Sequence, residues 1–167
     1  MILAFDTYYF DDKAKTICVS FDNWADTEPS AVYTGVLEGV EDYIPGEFYK
    51  RELPCILSLL QKIDTRQVEA IIVDGYVFLD DEAKPGLGSR LYTALNAEIP
   101  VIGVAKTNFK TLNKHKFPLR RGTSGDPIFI SAVGTDPVSA TEKIRTMAGP
   151  HRIPTLLKYL DTLTKSA

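Results

Sequence analysis

Hydrophobic and polar residues alternate along this chain in patterns that predict both strands and helices. Residues 2–10, 17–21 and 31–37 are rich in apolar, β-branched and aromatic side chains and are separated by polar turns. This pattern predicts three antiparallel strands at the N-terminus. Ala70–Val73 and Pro100–Ala105 are continuous apolar runs, as expected of strands that are covered on both faces.

Helices are predicted between and after these strands. Apolar residues favour helices over Tyr49–Ile63 and Leu87–Asn96. After a further strand over Ile128–Val133, Asp136-Pro137 supplies an N-cap and a first helical residue, and a last helix begins at Pro154. This order predicts an α/β fold with a mixed sheet and helices on its faces. Right-handed crossovers place the fourth strand in sequence beside the first, and the fifth beyond it.

Length and composition predict one globular domain over residues 1–167, because 44% of the residues are hydrophobic and can form a core. Cys18 and Cys55 are isolated, so neither a zinc site nor a disulfide framework is indicated. The N-terminus has no basic region and carries Asp6 within its first apolar run, unlike a signal peptide or a membrane span. We expect a cytoplasmic protein without a membrane partner or an obligate protein partner.

Charge is distributed unevenly, although the net charge is only −3. Acids dominate before Tyr49, whereas residues 106–125 contain no acid and are interleaved with Phe109 and Phe117. The basic side chains of this tract are Lys106, Lys110, Lys114, Lys116, Arg120 and Arg121, with His115 among them. Such a tract can follow a phosphate backbone and stack a base. A solvated basic loop is the alternative interpretation.

Four acids are candidates for a metal site. Asp6 lies in the first strand and Asp74 ends its predicted parallel neighbour, so both can face the crevice where ligands of α/β folds bind. Glu52 shares an apolar stripe of its helix, and Asp161 lies among leucines of the last helix. Converging carboxylates repel one another unless a hard cation such as Mg²⁺ binds them. Alternatively, each acid pairs with a basic side chain or caps a helix.

Two further features lie near these acids in sequence. Lys106 closes an apolar strand and could direct its ammonium group to the same crevice, towards a scissile phosphate, although a strand-end lysine can also simply reach solvent. Pro45 has a fixed φ and holds Ile44 extended, so Tyr43 and Ile44 form a stiff projection. An ordinary loop proline is the alternative for this segment.

Taken together, these segments resemble endonuclease V, a family of metal-dependent nucleases with an RNase H-like fold that cut nucleic acid near inosine. The resemblance rests on the shared order and spacing of several short motifs. They are Tyr43-Ile44-Pro45-Gly46, Arg51-Glu52, Val73-Asp74-Gly75, Gly86-Leu87-Gly88-Ser89, Pro100–Lys106, and Arg152-Ile153-Pro154 followed by Asp161.

The resemblance implies an RNase H-like mixed sheet of five strands and a Mg²⁺-dependent endonuclease, with Mn²⁺ able to substitute, that hydrolyses phosphodiester bonds in DNA or RNA. It implies metal ligands at four acids, with Lys106 assisting catalysis. These acids are Asp6, Glu52, Asp74 and Asp161.

The resemblance also implies two groups of residues that bind the nucleic acid. A wedge that separates bases falls on Tyr43, Ile44, Pro45 and Gly46. A pocket for the displaced base falls on Gly75, Gly86 and Gly103. From the charge pattern of the basic tract, we expect contacts to the backbone at Lys110, Lys114, Lys116, Arg120 and Arg121.

The chain departs from the family in two places. Where the family has a second glycine and a His-Pro pair after Gly75, this chain has the bulkier and more acidic run Tyr76–Glu82. Gly134-Thr135-Asp136 stands where the family tends to have Gly-His-Arg. We expect the cutting chemistry to be retained. The alternatives are an RNase H-like nuclease for branched or damaged strands and a non-catalytic nucleic-acid-binding module.

Overall fold

A computed structural model describes residues 1–39 and 49–166. Its sheet contains β1 (Ile2–Phe10), β2 (Lys13–Phe21), β3 (Ala31–Glu38), β4 (Ala70–Asp74), β5 (Val101–Ala105), β6 (Phe117–Leu119) and β7 (Ile128–Val133). The helices are α1 (Tyr49–Leu60), α2 (Leu87–Ala94), α3 (Pro137–Arg145) and α4 (Thr155–Lys165). Within the described part of the chain, no helix combines the length and the apolar character that a membrane crossing requires.

The strand order is β3-β2-β1-β4-β5-β7-β6. β1, β2 and β3 form the predicted antiparallel meander, and β4 and β5 extend it as parallel strands, so the α/β mixed sheet and the order of its first five strands are confirmed. In the register of β1 and β4, Phe5 pairs with Val73. Asp6 therefore directly follows the last β1 residue that pairs with β4, and Asp74 directly follows the last β4 residue that pairs with β1.

The expected strand count and two helix ends need correction. The sheet has seven strands, not five, because β7 pairs antiparallel with β5 and β6 pairs with β7. β6 has only three residues and contains Pro118, which suits an edge strand but leaves little pattern in the sequence. α2 ends at Ala94, before the predicted Asn96, whose φ of 58° cannot continue a right-handed helix. α1 ends at Leu60, where backbone hydrogen bonds tighten into i to i−3 spacing.

The start of α3 is confirmed. The Asp136 carboxylate accepts a hydrogen bond of 3.2 Å from the backbone nitrogen of Ser139, and Pro137 occupies the first turn. Asp136 therefore caps a helix at one of the two places where the sequence departs from the family pattern.

Alternate residues of the central strands pack on opposite faces of the sheet. The α3–α4 face holds Ile2, Ala4, Ala70, Ile72, Ile102, Val104, Leu156 and Leu160. The α1–α2 face holds Leu3, Phe5, Ile71, Val73, Val101, Leu59 and Leu91. Because side chains alternate along a strand, Asp6 and Asp74 continue the row that faces α4. The hydrophobic pattern that builds the core thus also selects the face on which these acids lie.

The loop after β4 crosses closely over β5 at Gly103. A Cβ atom at this position would clash with the carbonyl oxygen of Gly75 and would lie 2.7 Å from Ser131 Oγ. Ser131 Oγ accepts a hydrogen bond of 2.9 Å from the backbone nitrogen of Val77. Gly75 has a φ of 108°, which allows the chain to turn directly after Asp74. This packing fixes the backbone that carries Asp74.

We expect Gly103→Ala to lower the free energy of unfolding by about 1–3 kcal/mol, since the added methyl group has no space beside the Gly75 carbonyl. Urea denaturation measures the change. Gly125→Ala is the matched control, because a Cβ atom at Gly125 meets no atom within 4 Å. Equal stabilities of the two variants would contradict the packing argument.

Candidate functional site

Acids from β1, β4 and α4 meet at the carboxyl ends of the parallel strands. Asp6, Asp74 and Asp161 line one small cavity together with Lys106. Its other walls are mainly aliphatic, from Val104 and the leucines of α4 among others. The site is therefore a group of charged side chains at the end of an apolar core.

Asp6 is held by hydrogen bonds to both carboxylate oxygens. Thr164 Oγ1 lies 2.7 Å from Asp6 Oδ2 and donates to it, and the backbone nitrogen of Thr7 donates to Oδ1 over 3.0 Å. Burial nevertheless raises the pKa of Asp6, and the negative charges of Asp74 and Asp161 raise it further, while the Thr164 hydrogen bond opposes them. The ionised form of Asp6 thus lacks a sufficient positive neighbour.

Glu52 reaches the same region from the opposite face of the sheet. It lies on α1 and lines an open cleft with Asp74, Tyr76 and Lys106, so this cleft shares Asp74 and Lys106 with the small cavity. Burial raises the pKa of Glu52 to about 8, with further contributions from the charges of Asp74 and Asp6. At neutral pH and without a bound cation, Glu52 is therefore mostly protonated.

The surroundings of Asp74 have opposing effects on its pKa. Desolvation by the surrounding protein raises its pKa and is the largest effect, although the side chain is exposed to the open cleft; Asp161 adds repulsion, and Lys106 and Lys165 lower the pKa. Desolvation prevails, so Asp74 also has a raised pKa. Asp6, Glu52 and Asp74 consequently form a set of three acids whose ionisation is unfavourable in the metal-free protein.

Asp161 differs from the other three acids because lysines surround it. Its Oδ1 lies 2.9 Å from Lys165 Nζ and 3.7 Å from Lys106 Nζ, and its Oδ2 lies 3.9 Å from Lys158 Nζ. The hydrogen bond from Lys165 is the main reason why the pKa of Asp161 lies below its usual value. The negative charge of Asp161 is therefore already balanced by lysine ammonium groups.

Arg152 fixes the backbone at Lys106. Its guanidinium donates hydrogen bonds to the carbonyl oxygens of Lys106, Pro127 (2.9 Å) and Asp126 (3.2 Å). Lys106 follows directly on β5, and this connection holds the strand end against the loop before β7. The Lys106 side chain is left partly exposed beside Asp161.

The sequence reasoning did not identify Thr164 or Lys165 as parts of the site. Both lie one helical turn after Asp161, at i+3 and i+4, where side chains of a helix are neighbours. That spacing is the sequence signal that could have found them.

The donor set fits a hard divalent cation by its chemistry. Carboxylate oxygens are the preferred ligands of Mg²⁺ and Mn²⁺, and the raised pKa values of Asp6, Glu52 and Asp74 show that desolvation and neighbouring acids disfavour their ionised forms in the metal-free protein. Among the described residues, however, no three His, Cys, Asp or Glu side chains form a ready-made metal cluster. The acids are neighbours but are not gathered around one point.

The structure describes only some of the predicted nucleic-acid-binding residues. Tyr43, Ile44, Pro45 and Gly46 lie outside the described residues, so the wedge stays a prediction. Gly75, Gly86 and Gly103 all surround the turn at Tyr76 and Val77: a Cβ atom on Gly86 would lie 3.0 Å from the Tyr76 carbonyl oxygen, and Gly103 packs under the same turn. Their packing is explained, while their role as a base pocket stays a prediction.

Most of the basic tract is accessible to solvent, and Lys106 at its start lines the open cleft. Lys110, Lys114 and Arg120 are exposed, and Lys116 donates a hydrogen bond of 2.6 Å to the side chain of Asn108.

Two aromatic rings border this tract. The rings of Tyr76 and Phe109 lie 5.8 Å apart between centroids, and the Tyr76 hydroxyl donates to the Thr107 carbonyl oxygen over 2.6 Å. Tyr76 and Thr107 also line the open cleft. Aromatic and basic groups thus adjoin the acids.

Arg121 requires a correction, because it does not belong to this surface. It is 7% exposed, and its guanidinium donates to the carbonyl oxygens of Met147 (2.6 Å), His151 (2.6 Å) and Gly149 (3.3 Å). These bonds tie the start of the loop after β6 to the segment between α3 and α4. Arg121 therefore has a structural role, and a charge pattern in the sequence does not distinguish such an arginine from its exposed neighbour Arg120.

Comparisons with known proteins point to one family. A sequence-family model described as Endonuclease V matches residues 1–134, which include Asp6, Glu52, Asp74 and Lys106 but not Asp161. The endonuclease V structure from Streptomyces avermitilis is 25% identical, with a TM-score of 0.77 over 98% of this chain and 79% of that chain.

Two other solved structures share the fold. Endonuclease V from Ciona intestinalis, in complex with a 24mer DNA containing an inosine followed by a ribo-adenosine, is 17% identical with a TM-score of 0.81 over 98% of this chain and 84% of that chain. The Bacillus subtilis endonuclease V structure is 20% identical with a TM-score of 0.76 over 98% and 77%. The search of curated proteins gave no match.

The raised pKa of Glu52 predicts a pH-dependent stability. Because this pKa is about 8 in the folded protein and 4.5 ordinarily, the folded state keeps a proton that the unfolded state releases at neutral pH. The free energy of unfolding of the metal-free protein should therefore fall as the pH rises from about 5 to about 8. Glu52→Gln should be more stable than the wild type at pH 8, by on the order of a few kcal/mol, and this difference should vanish towards pH 5.

Urea denaturation in EDTA at several pH values tests this expectation. Glu98→Gln, which changes an exposed carboxyl group, is the control and should follow the wild type. If Glu52→Gln lost stability with rising pH as steeply as the wild type, burial of the Glu52 carboxyl group would not be the cause.

Arg121→Ala should lower the free energy of unfolding by about 2–4 kcal/mol, because three carbonyl oxygens lose their donor. The adjacent Arg120→Ala removes an exposed guanidinium and should stay within about 0.5 kcal/mol of the wild type. Urea denaturation of both variants measures the contrast. A stable Arg121→Ala protein would show that the guanidinium is dispensable for folding.

Proposed function

The chain belongs to the endonuclease V family, and we propose that it is a divalent-metal-dependent endonuclease that hydrolyses phosphodiester bonds in DNA or RNA near inosine. One observation carries the proposal beyond family membership. Asp6, Glu52 and Asp74 are three acids with raised pKa values, caused mainly by desolvation, beside Lys106 at the carboxyl end of the parallel strands. A fold keeps such an arrangement at a cost in stability, which is expected where the acids bind a cation.

The proposed ligands are Asp6, Glu52, Asp74 and Asp161, and the proposed ion is Mg²⁺, with Mn²⁺ as a substitute. When bound, the ion supplies a more acidic water and stabilises charge on the phosphodiester. Glu52 must lose its proton to act as a ligand, so binding is expected to be weaker at acidic pH.

Lys106 is proposed to contact the scissile phosphate. Its ammonium lies where the small cavity and the open cleft meet, and it is partly exposed. A cation at this point would offset negative charge as the phosphodiester reacts. Arg152 supports this role indirectly, because it holds the Lys106 backbone at the end of β5.

The surface next to the acids supports nucleic acid as the substrate. Lys110, Lys114, Lys116 and Arg120 are proposed to follow the phosphate backbone, and the exposed ring of Phe109 beside Tyr76 can stack a base. Tyr43, Ile44, Pro45 and Gly46 are proposed as the wedge that displaces a base, with Gly75, Gly86 and Gly103 bordering the pocket that receives it.

The loop after Val77 favours a second candidate with the same chemistry and another substrate preference. Two acids of this loop have structural roles. Asp80 Oδ1 accepts from the backbone nitrogen of Lys84 (3.0 Å), and Asp81 Oδ1 accepts from the backbone nitrogens of Asn113 (2.6 Å) and Lys114 (2.8 Å). The loop is therefore bonded to the basic tract. A pocket shaped by this loop could accept a different abnormal base or a branched strand.

The direct test incubates the purified protein with Mg²⁺ or Mn²⁺ and with inosine-containing or plain strands, single and duplex. Asp6→Asn and Asp74→Asn should each lower the cleavage rate by at least about 100-fold, because each removes a proposed ligand. Glu98→Gln should cleave like the wild type.

The outcomes separate the candidates. Cleavage that persists in Asp6→Asn and Asp74→Asn would refute the proposed site. Equal rates on plain and inosine strands would favour the second candidate. Nucleic-acid binding by the wild type without any cleavage would indicate a non-catalytic binding module.

A further inference from the structure

Lys165 occupies a special position among the lysines near the acids. Its ammonium makes the shortest of the three contacts to Asp161, at 2.9 Å, against 3.7 Å for Lys106 and 3.9 Å for Lys158. Among the described residues, Asp6, Glu52 and Asp74 have no Lys or Arg within ion-pair distance. The positive charge on α4 is thus concentrated on one acid of the cluster.

The end of α4 is anchored on both sides of Lys165. Thr164 is 1% exposed and donates its hydroxyl to Asp6 Oδ2. The backbone carbonyl of Ser166 accepts a hydrogen bond of 2.5 Å from Lys15 Nζ on β2. The backbone that carries Lys165 is therefore fixed against the sheet, while its side chain extends over the acids.

The Lys165 ammonium group interacts electrostatically with Asp6 and Asp74 as well as with Asp161. The hydrogen bond to Asp161 and the charge of Asp161 raise the pKa of Lys165, and the charges of Asp6 and Asp74 raise it further. Reciprocally, Lys165 is one of the two cations that lower the pKa of Asp74. One ammonium group thus lies in the field of three proposed metal ligands.

The Lys165 side chain can also turn away from Asp161 into solvent. It is 60% exposed, and an exposed ion pair contributes only about 0–1 kcal/mol. A long lysine side chain at a helix end can turn into solvent without disturbing the helix.

We propose that Lys165 is a tethered counter-ion, which pairs with Asp161 in the metal-free protein and competes with the divalent cation for this carboxylate. An ammonium group and a divalent ion repel each other, so a cation held by Asp161 would displace the Lys165 ammonium group from this carboxylate. The inference rests on the proposed metal site and adds a residue that sets its affinity.

The test is calorimetric titration of the metal-free protein with MnCl₂. Lys165→Met should tighten the dissociation constant by about fivefold, because the competing charge is lost while the length of the side chain is kept. Lys158→Met is the matched control: it removes the same charge from the same helix, but that ammonium lies farther from Asp161 and is 70% exposed. It should change the affinity by less than about twofold. Lys165→Arg, which keeps the charge, should bind Mn²⁺ like the wild type.

Two results would refute the counter-ion role of Lys165 without refuting the metal site. The first is an unchanged or weaker Mn²⁺ affinity in Lys165→Met. The second is an equal gain in affinity in Lys158→Met, which would indicate a general charge effect. In both cases Mn²⁺ binding that is lost in Asp74→Asn would leave the proposed metal site standing. If the wild type binds no Mn²⁺, the metal site and the counter-ion role fail together.

Discussion

The unfavourable ionisation of three neighbouring acids is the constraint on which the rest of this site depends. Strand alternation places Asp6 and Asp74 on the face of α4, and α1 brings Glu52 over the sheet end from the other face. Desolvation raises the pKa of all three carboxyl groups, and the charges of neighbouring acids raise it further. A group that ionises unfavourably in the folded state reduces stability as the pH rises, so the metal-free protein is less stable at neutral pH because it keeps these acids.

The surrounding structure limits this cost and keeps the acids in place. α4 contributes the Thr164 hydroxyl to Asp6 and the Lys165 ammonium to Asp161. Gly103 lets the loop after Asp74 cross β5 closely, and Arg152 holds the strand end that carries Lys106. A cation bound only by the folded state would stabilise it by mass action. Holding these acids together thus costs stability in the absence of a bound cation, as is common for functional sites.

Much of this arrangement could be predicted from the sequence, for specific physical reasons. Continuous apolar runs mark β4 and β5, and the acid and the lysine that end them fall at the strand ends, so the convergence of Asp74 and Lys106 follows from pattern and topology. β6 could not be predicted, because three residues that include a proline carry no strand pattern. The burial of Arg121 depends on carbonyl groups from a distant segment that the local charge pattern does not reveal. The wedge at 43–46 stays a prediction.

Proton release on metal binding tests the central claim most directly. Calorimetric titration of the wild-type protein with MnCl₂, in two buffers of different ionisation enthalpy, counts the protons released for each ion bound. With the pKa of Glu52 at about 8, we predict release of close to one proton per ion at pH 7 and almost none at pH 9. Mn²⁺ binding without proton release at pH 7, or the absence of binding, would contradict a cation site built on these carboxyl groups.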